Sequence, residues 1–221
     1  MPLKLVIFDV DGTLIDSQAH ICAAMDEAFG GVGLPTPPRT EILRIVGLSL
    51  PRAMAQLAPG LSQTGLERLV TGYKAAFGAL RAETLSPLYP GARETMETLA
   101  SMPDILLGIA TGKSRRGLGH VLGAHGLAEY FVTMQVADDH PSKPHPSMIH
   151  ACLRETGAEA IDTVMLGDTS YDMDMARAAG VHGLGVSWGY HAPEGLGAAR
   201  VISEFAALAG ALQAIWSETT A

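Results

Sequence analysis

The 221-residue sequence predicts an α/β fold: a doubly wound, mainly parallel sheet core carrying an inserted α-helical unit. Three observations predict it. Short apolar runs without strict alternation recur along the chain, as in strands buried on both faces of a parallel sheet. From residue 90 onward these runs alternate with helical stretches, which is how a doubly wound sheet is built. Between the first run and the second, residues 17–86 contain no convincing strand, and that span is too long for a simple crossover.

Each element has a local cause. Residues 3–8 (LKLVIF) form the first strand, which ends at Asp9. Helices are expected over 18–29, 41–46, 52–57 and 66–82, divided by Gly30-Gly31, by the proline-rich stretch 35–38 and by Pro59-Gly60. They are assigned to an inserted helical unit, residues 17–86, with hinges near Asp16-Ser17 and at 86–91. The core is then residues 1–16 and 87–221. Pro90-Gly91 leads into a helix over 93–100, and residues 105–110 (ILLGIA) form a strand ending at Thr111. Ser114 suits the N-cap of a helix over 114–125, and Gly126 stops it. A strand over 132–136 precedes a polar loop and a helix over 146–156, stopped by Gly157. A strand over 163–166 leads to a helix over 170–179, stopped by Gly180. Short strands at 183–186 and 200–202 and a helix over 204–216 complete the chain.

Composition excludes several functions. With 15 Lys+Arg against 23 Asp+Glu, the net charge of −8 argues against a nucleic-acid binder working through a basic face. Apolar residues are frequent enough for a packed core and too frequent for a disordered chain. Cys22 and Cys152 form no CxxC pair and no disulfide scaffold, and read as reduced thiols packed in helices. The first apolar run is too short for a secretion signal, and no window has the length of a membrane span. A cytoplasmic protein without membrane contact is expected.

In open α/β sheets, ligands bind beyond the carboxyl ends of the strands. The first strand delivers Asp9-Val10-Asp11-Gly12-Thr13 to that rim, and the second delivers Thr111-Gly112-Lys113-Ser114. A later loop holds Lys143-Pro144, and the fourth strand delivers Gly167-Asp168 with Asp172 close behind. One strand-end aspartate is most often a turn or helix cap. Several carboxylates, a hydroxyl and a lysine meeting on one rim point elsewhere. Clustered carboxylates repel unless a cation neutralises them, and an all-oxygen ligand set suits Mg²⁺ shared with a substrate phosphate. A nucleophilic carboxylate beside an acid/base carboxylate can split phosphoryl transfer into two steps.

Three other patterns carry less. Gly112-Lys113-Ser114 looks like the end of a nucleotide P-loop, but Leu107 stands where that motif needs glycine. Gly183-Leu184-Gly185 fails the dinucleotide pattern. His140, His145 and His150 share no helical face and have no cysteine to complete a zinc set. Lys113, Arg115 and Arg116 open a helix and form either a solvated face or, for Lys113, help for an anionic substrate. Trp188, Tyr190 and His191 follow a strand end near the rim and read as packing residues.

Residues 8–17 (FDVDGTLIDS) resemble the first signature of the haloacid dehalogenase superfamily of phosphohydrolases. Residues 110–113 (ATGK) resemble its second, Lys143-Pro144 its third and residues 167–172 (GDTSYD) its fourth, in the family's order, over residues 5 to 190. The helical block after the first signature resembles the four-helix cap of phosphoglycolate phosphatases and their relatives. The resemblance implies that Asp9 is the nucleophile and Asp11 the acid/base. It implies Mg²⁺ held by the Asp9 carboxylate, the Asp11 main-chain carbonyl and Asp168. Thr111, Gly112 and Lys143 would bind the phosphate, and Asp172 would orient Lys143 or a metal-bound water. The turn over 46–52 would face the site, where Arg52 either grips a second anionic group or is a plain exposed helix-start arginine.

Dehalogenases of the superfamily lack an acid at the position of Asp11, so its presence implies phosphoester chemistry. Sugar-phosphate mutases with this cap usually carry a histidine where Ile21 stands, although His20 is adjacent, and phosphonate hydrolases need a cap lysine that residues 17–73 lack, Lys74 being the first. Hydrolysis of a small phosphorylated metabolite is the expected function. A phosphomutase and a non-catalytic protein signalling through phosphorylation of Asp9 are the alternatives.

Overall fold

A computed structural model describes residues 3–219 of the chain. The order of elements along it matches the alternation in the sequence. Strand β1 (Lys4–Phe8) is followed by four helices: α1 (Gln18–Gly31), α2 (Arg39–Arg44), α3 (Leu50–Leu57) and α4 (Gln63–Glu83). Then come α5 (Ala92–Ala100), β2 (Ile105–Thr111), α6 (Arg115–His125), β3 (Phe131–Val136) and α7 (Ser147–Thr156). The chain closes with β4 (Thr163–Gly167), α8 (Ser170–Ala179), β5 (His182–Val186), β6 (Arg200–Ile202) and α9 (Leu208–Thr219).

The six strands form one parallel sheet in the order β3-β2-β1-β4-β5-β6. β1 is therefore central, with β2 on one side and β4 on the other. Its alternate residues feed two cores. Val6 and Phe8 point into the layer built by α5, α6 and α9, while Leu5 and Ile7 point into the layer built by α7 and α8. Burial of both faces is the reason the run shows no polar alternation. The order of strands reverses at β1, so the crevice beyond its carboxyl end is where such a fold opens to ligands.

Helices α1–α4 hold a separate apolar cluster around Met25, Phe29, Ile42, Met54 and Leu69. Tyr171 and Tyr190 of the sheet layer pack against its edge. Both cysteines are free thiols, one in α1 and one buried in α7, as expected. No helix among the described residues is long and apolar enough to cross a membrane.

Several helix boundaries differ from the sequence reading. α4 begins at Gln63 rather than 66, because the Ser62 side chain accepts the Gly65 N–H at 3.2 Å and caps it early. α2 ends at Arg44 rather than 46, because Gly47 (φ 98°) turns the chain over the rim of the sheet. α3 starts at Leu50, with Pro51 in its first turn, where proline is tolerated. The last helix starts at Leu208, not 204, because a short 3₁₀ turn (Phe205–Ala207) first drives Phe205 into the core beside Trp188.

Candidate active site

Asp9 lies just past β1 and is fully buried. Its N–H donates to Leu166 O at 3.0 Å, which extends the β1–β4 pairing by one step and locks the carboxylate at the rim. The chain then turns sharply. Leu14 and Ile15 N–H both donate to Val10 O, and Gly12 sits at φ 80°. A Cβ on Gly12 would stand 2.2 Å from Asp168 Oδ2, so only glycine permits this approach. The turn lets Asp9 and Asp11 face one rim despite their i, i+2 spacing.

Three carboxylates meet beside Asp9. Asp9, Asp168 and Asp172 each offer an oxygen within 4.8 Å of the others, and all three are buried. Lys143 is their counterion. Its Nζ donates to Asp172 Oδ1 at 2.6 Å and stands 3.0 Å from Asp9 Oδ1 as an ion pair. The other Asp172 oxygen accepts from Thr169 N (3.1 Å) and Oγ1 (2.7 Å), completing a capping box at the start of α8. Asp168 accepts from Thr13 Oγ1 and from Tyr190 N, both at 2.9 Å. Neither Asp9 oxygen accepts a well-formed hydrogen bond.

The electrostatics follow from this placement. Burial pushes the Asp9 carboxyl up to about 7, although Lys143 pulls the other way. Burial, then Asp172 and Asp9, hold Asp168 well above the usual carboxylate range. Burial alone would lower Lys143, but Asp172 and Asp9 more than offset it and its pKa is raised.

Asp11 is held differently. Lys113 Nζ donates to both its oxygens at 2.7 Å, and Ser17 Oγ donates to Oδ1. Ser17 therefore leaves α1 without a side-chain N-cap. The Tyr190 hydroxyl joins the same network, accepting Ser17 N–H at 3.0 Å. Thr111, buried at the end of β2, accepts the Lys113 N–H at 3.2 Å.

Taken together, four carboxylates (Asp9, Asp11, Asp168 and Asp172) face two lysines (Lys113 and Lys143), which leaves two surplus negative charges. An Asp9 carboxylate whose oxygens accept no hydrogen bond, beside Asp168, fits a divalent cation with oxygen ligands such as Mg²⁺. Asp172, with both oxygens already engaged, serves Lys143 instead.

The helical unit closes over this rim. Gly47 O and Leu48 O pass so close to Gly112 that a Cβ there would sit 2.6 and 2.7 Å from them. Ser49 N–H donates to Ser142 Oγ at 2.8 Å. Between the two layers lies a cavity of about 860 Å³, lined by Asp9, Asp11, Thr111, Gly112 and Lys113 from the sheet side.

One sequence candidate falls outside the cavity. Arg52 is exposed and does not line the cavity, because α3 turns its side chain to solvent while Ala53 faces inward. Lys113 lines the cavity and pairs there with Asp11. Other residues were missed. Thr13 and Ser17 lie within the first motif, so a signal for them existed. Tyr190, expected near the rim as a packing residue, instead reaches Asp168 and Ser17 by hydrogen bonds from far along the chain. Arg81 and Lys74 of α4 and Arg116 of α6 line the cavity too. His140, His145 and His150 assemble no metal site among the described residues; His140 instead bonds Gln135 and Ser147.

Comparison with known proteins agrees with this geometry. A family model described as haloacid dehalogenase-like hydrolase matches residues 6–186. The chain is 35% identical to "Probable phosphatase IndB" of Dickeya dadantii over 221 residues, covering 96% of this chain and 94% of that protein. It is 30% identical to a phosphoglycolate phosphatase of Vibrio parahaemolyticus over 203 residues, covering 89% of each. Among solved structures, a hydrolase from Pseudomonas syringae superposes with a TM-score of 0.85 at 28% identity, covering 96% of this chain and 99% of that one. The match spans every strand end that carries a buried carboxylate, so the chain is a phosphatase and belongs to the haloacid dehalogenase-like hydrolase family.

Proposed function

We propose that this enzyme hydrolyses a small phosphate monoester with Mg²⁺, through a phosphoryl group carried transiently on Asp9. The observation that carries the reading is the buried Asp9 carboxylate, free of hydrogen bonds and open to the cavity. In the first step an Asp9 oxygen attacks phosphorus, and the bond to the leaving alkoxide breaks. Asp11, protonated in the substrate complex and kept in place by Ser17, would give its proton to that oxygen. In the second step Asp11 takes a proton from water as the water attacks phosphorus, which frees phosphate and restores Asp9.

The other groups position and neutralise, which is most of what phosphoryl transfer asks of a protein. Thr111 Oγ1 and the Gly112 N–H would hold phosphate oxygens, and Lys143 would bridge them to Asp9. Asp172 would fix Lys143 by its 2.6 Å bond. The Asp9 and Asp168 carboxylates and the Asp11 main-chain carbonyl would hold Mg²⁺. When bound, the metal supplies charge neutralisation at the transferring phosphoryl group.

Residues 17–86 would act as a cap on a core of 1–16 and 87–221, hinged near 16–17 and 86–91, that covers the rim and selects the leaving group. The two free cysteines suit a reducing compartment, and we place the enzyme in the cytoplasm.

The test is phosphate release from a panel of small phosphate esters with Mg²⁺, phosphoglycolate included. Turnover is expected, abolished by Asp9→Asn and reduced by at least about 100-fold by Asp11→Asn. No release from any ester overturns the phosphatase reading, and normal turnover by Asp11→Asn overturns its acid/base role.

A further inference from the structure

The cavity does not end at the phosphate site. Its outer wall is a stripe on α4, where Lys74, Gly78 and Arg81 lie on one face at i, i+4 and i+7. Arg116 of α6 lines the same cavity, near enough for its charge to act on Arg81. Gly78 leaves the space between Lys74 and Arg81 open, since a Cβ there would meet nothing within 4 Å. An acidic protein thus collects three cations from two layers around one opening.

None of the three has a carboxylate within ion-pair distance among the described residues. The acids nearby are engaged elsewhere. Asp138, which also lines the cavity, accepts the Arg115 N–H at 2.8 Å, and Asp139 pairs with the Arg115 guanidinium. Arg81 is half-buried, and both its burial and the charge of Arg116 depress its basicity. Two like charges held together without a counterion make a site that an anion relieves.

We propose that Lys74, Arg81 and Arg116 form a second anion subsite. The substrate is then a phosphate monoester with a sugar-sized body and a second anionic group, phosphate or carboxylate. The inference rests on the proposed hydrolysis at Asp9 and names its substrate class. The spacing sets the size. Phe77 lines the cavity beside the Lys113–Asp11 pair, its ring 5.3 Å from Lys113 Nζ. Arg81 follows one helical turn later, roughly 6 Å further along the axis. A two-carbon phosphoester such as phosphoglycolate is too short to hold both ends.

The test compares a hexose monophosphate, the matching hexose bisphosphate, the matching phosphosugar acid and phosphoglycolate, with Mg²⁺ present. The subsite predicts that the bisphosphate, the phosphosugar acid or both are favoured over the monophosphate and phosphoglycolate in kcat/KM. The ratio should fall roughly tenfold for Arg81→Gln or Arg116→Gln and further in the double variant, mainly through KM. Which of the two is favoured tells phosphate from carboxylate. A ratio unchanged by the substitutions, or phosphoglycolate as the best substrate, overturns the subsite.

Calorimetric binding of the bisphosphate and of the phosphosugar acid to Asp9→Asn protein gives an independent readout. The Arg81→Gln and Arg116→Gln changes should weaken the binding of at least one there as well. If that weakening is seen while no ester is ever turned over, the subsite stands and the phosphatase reading falls.

Discussion

At the scale of single residues, the site is a set of buried charges that balance only when a cation is added. Asp9 illustrates the consequence. Its folded-state pKa of about 7 exceeds the ordinary 3.8, with burial as the largest cause. The folded protein therefore keeps this proton after the unfolded chain has lost it. For metal-free protein, this group's contribution to stability falls as pH rises from about 4 to 7 and is flat above. Asp168 is raised in the same sense and acts in the same direction. With Mg²⁺ held by the ionised carboxylates, as proposed, its addition should raise the thermal midpoint more at pH 7.5 than at pH 5. An equal rise at both pH values would contradict the assignment of these carboxylates as ligands.

Lys143 is the second case. It is fully buried and touches two carboxylates, so removing it strands both. Lys143→Met should cost about 3–5 kcal/mol in urea unfolding of the metal-free protein. A loss below about 1 kcal/mol would mean that the carboxylates find other partners or take up protons instead.

At the scale of elements, strand ends and the loops after them do the positioning. β1 brings Asp9, β2 brings Thr111 and β4 brings Asp168, all at one edge because the strands are parallel and in register. The helical unit is aligned to that edge by a main-chain contact. Gly47 O and Leu48 O lie over Gly112, where there is no room for a methyl group. Gly112→Ala should push the turn away from the rim and lower kcat/KM at least tenfold, since small displacements in a phosphoryl-transfer site are expensive. The sheet does not depend on this contact, so the melting temperature should move by only a few degrees. A large drop in stability with intact activity would contradict this account.

The helix ends show why some boundaries were legible and others were not. Ser114, Gly126, Gly157 and Gly180 cap or stop their helices as their local chemistry dictates. Ser17 precedes α1 but gives its hydroxyl to Asp11, a partner six residues upstream that the turn at Gly12 brings back. The early end of α2 likewise answers to the rim it must cross, not to its own sequence.

At the scale of the whole molecule, a protein of net charge −8 binds an anionic substrate. The reversal of field is local. Lys143 and Lys113 lie at the catalytic rim, Lys74, Arg81 and Arg116 line the cavity mouth, and a divalent cation would cancel the remaining surplus of carboxylates. Chelation should therefore weaken phosphate binding by more than tenfold in calorimetry, and Mg²⁺ should restore it. Phosphate affinity indifferent to chelator would rule out the metal as part of the anion site.

The sequence by itself determined the parallel α/β core, the inserted helices and the carboxylates at the strand ends. Those features are written in short-range patterns: apolar runs, capping residues and motifs of a few adjacent residues. Only the tertiary structure decided which side chains complete the site. It turned Arg52 outward, tied Lys113 to Asp11 and brought Tyr190 to Ser17 and Asp168. It also brought Arg81 and Arg116 to one cavity. Each of these pairings joins residues from separate elements, and the packing of the helical unit on the sheet sets their distance. No local pattern encodes that distance.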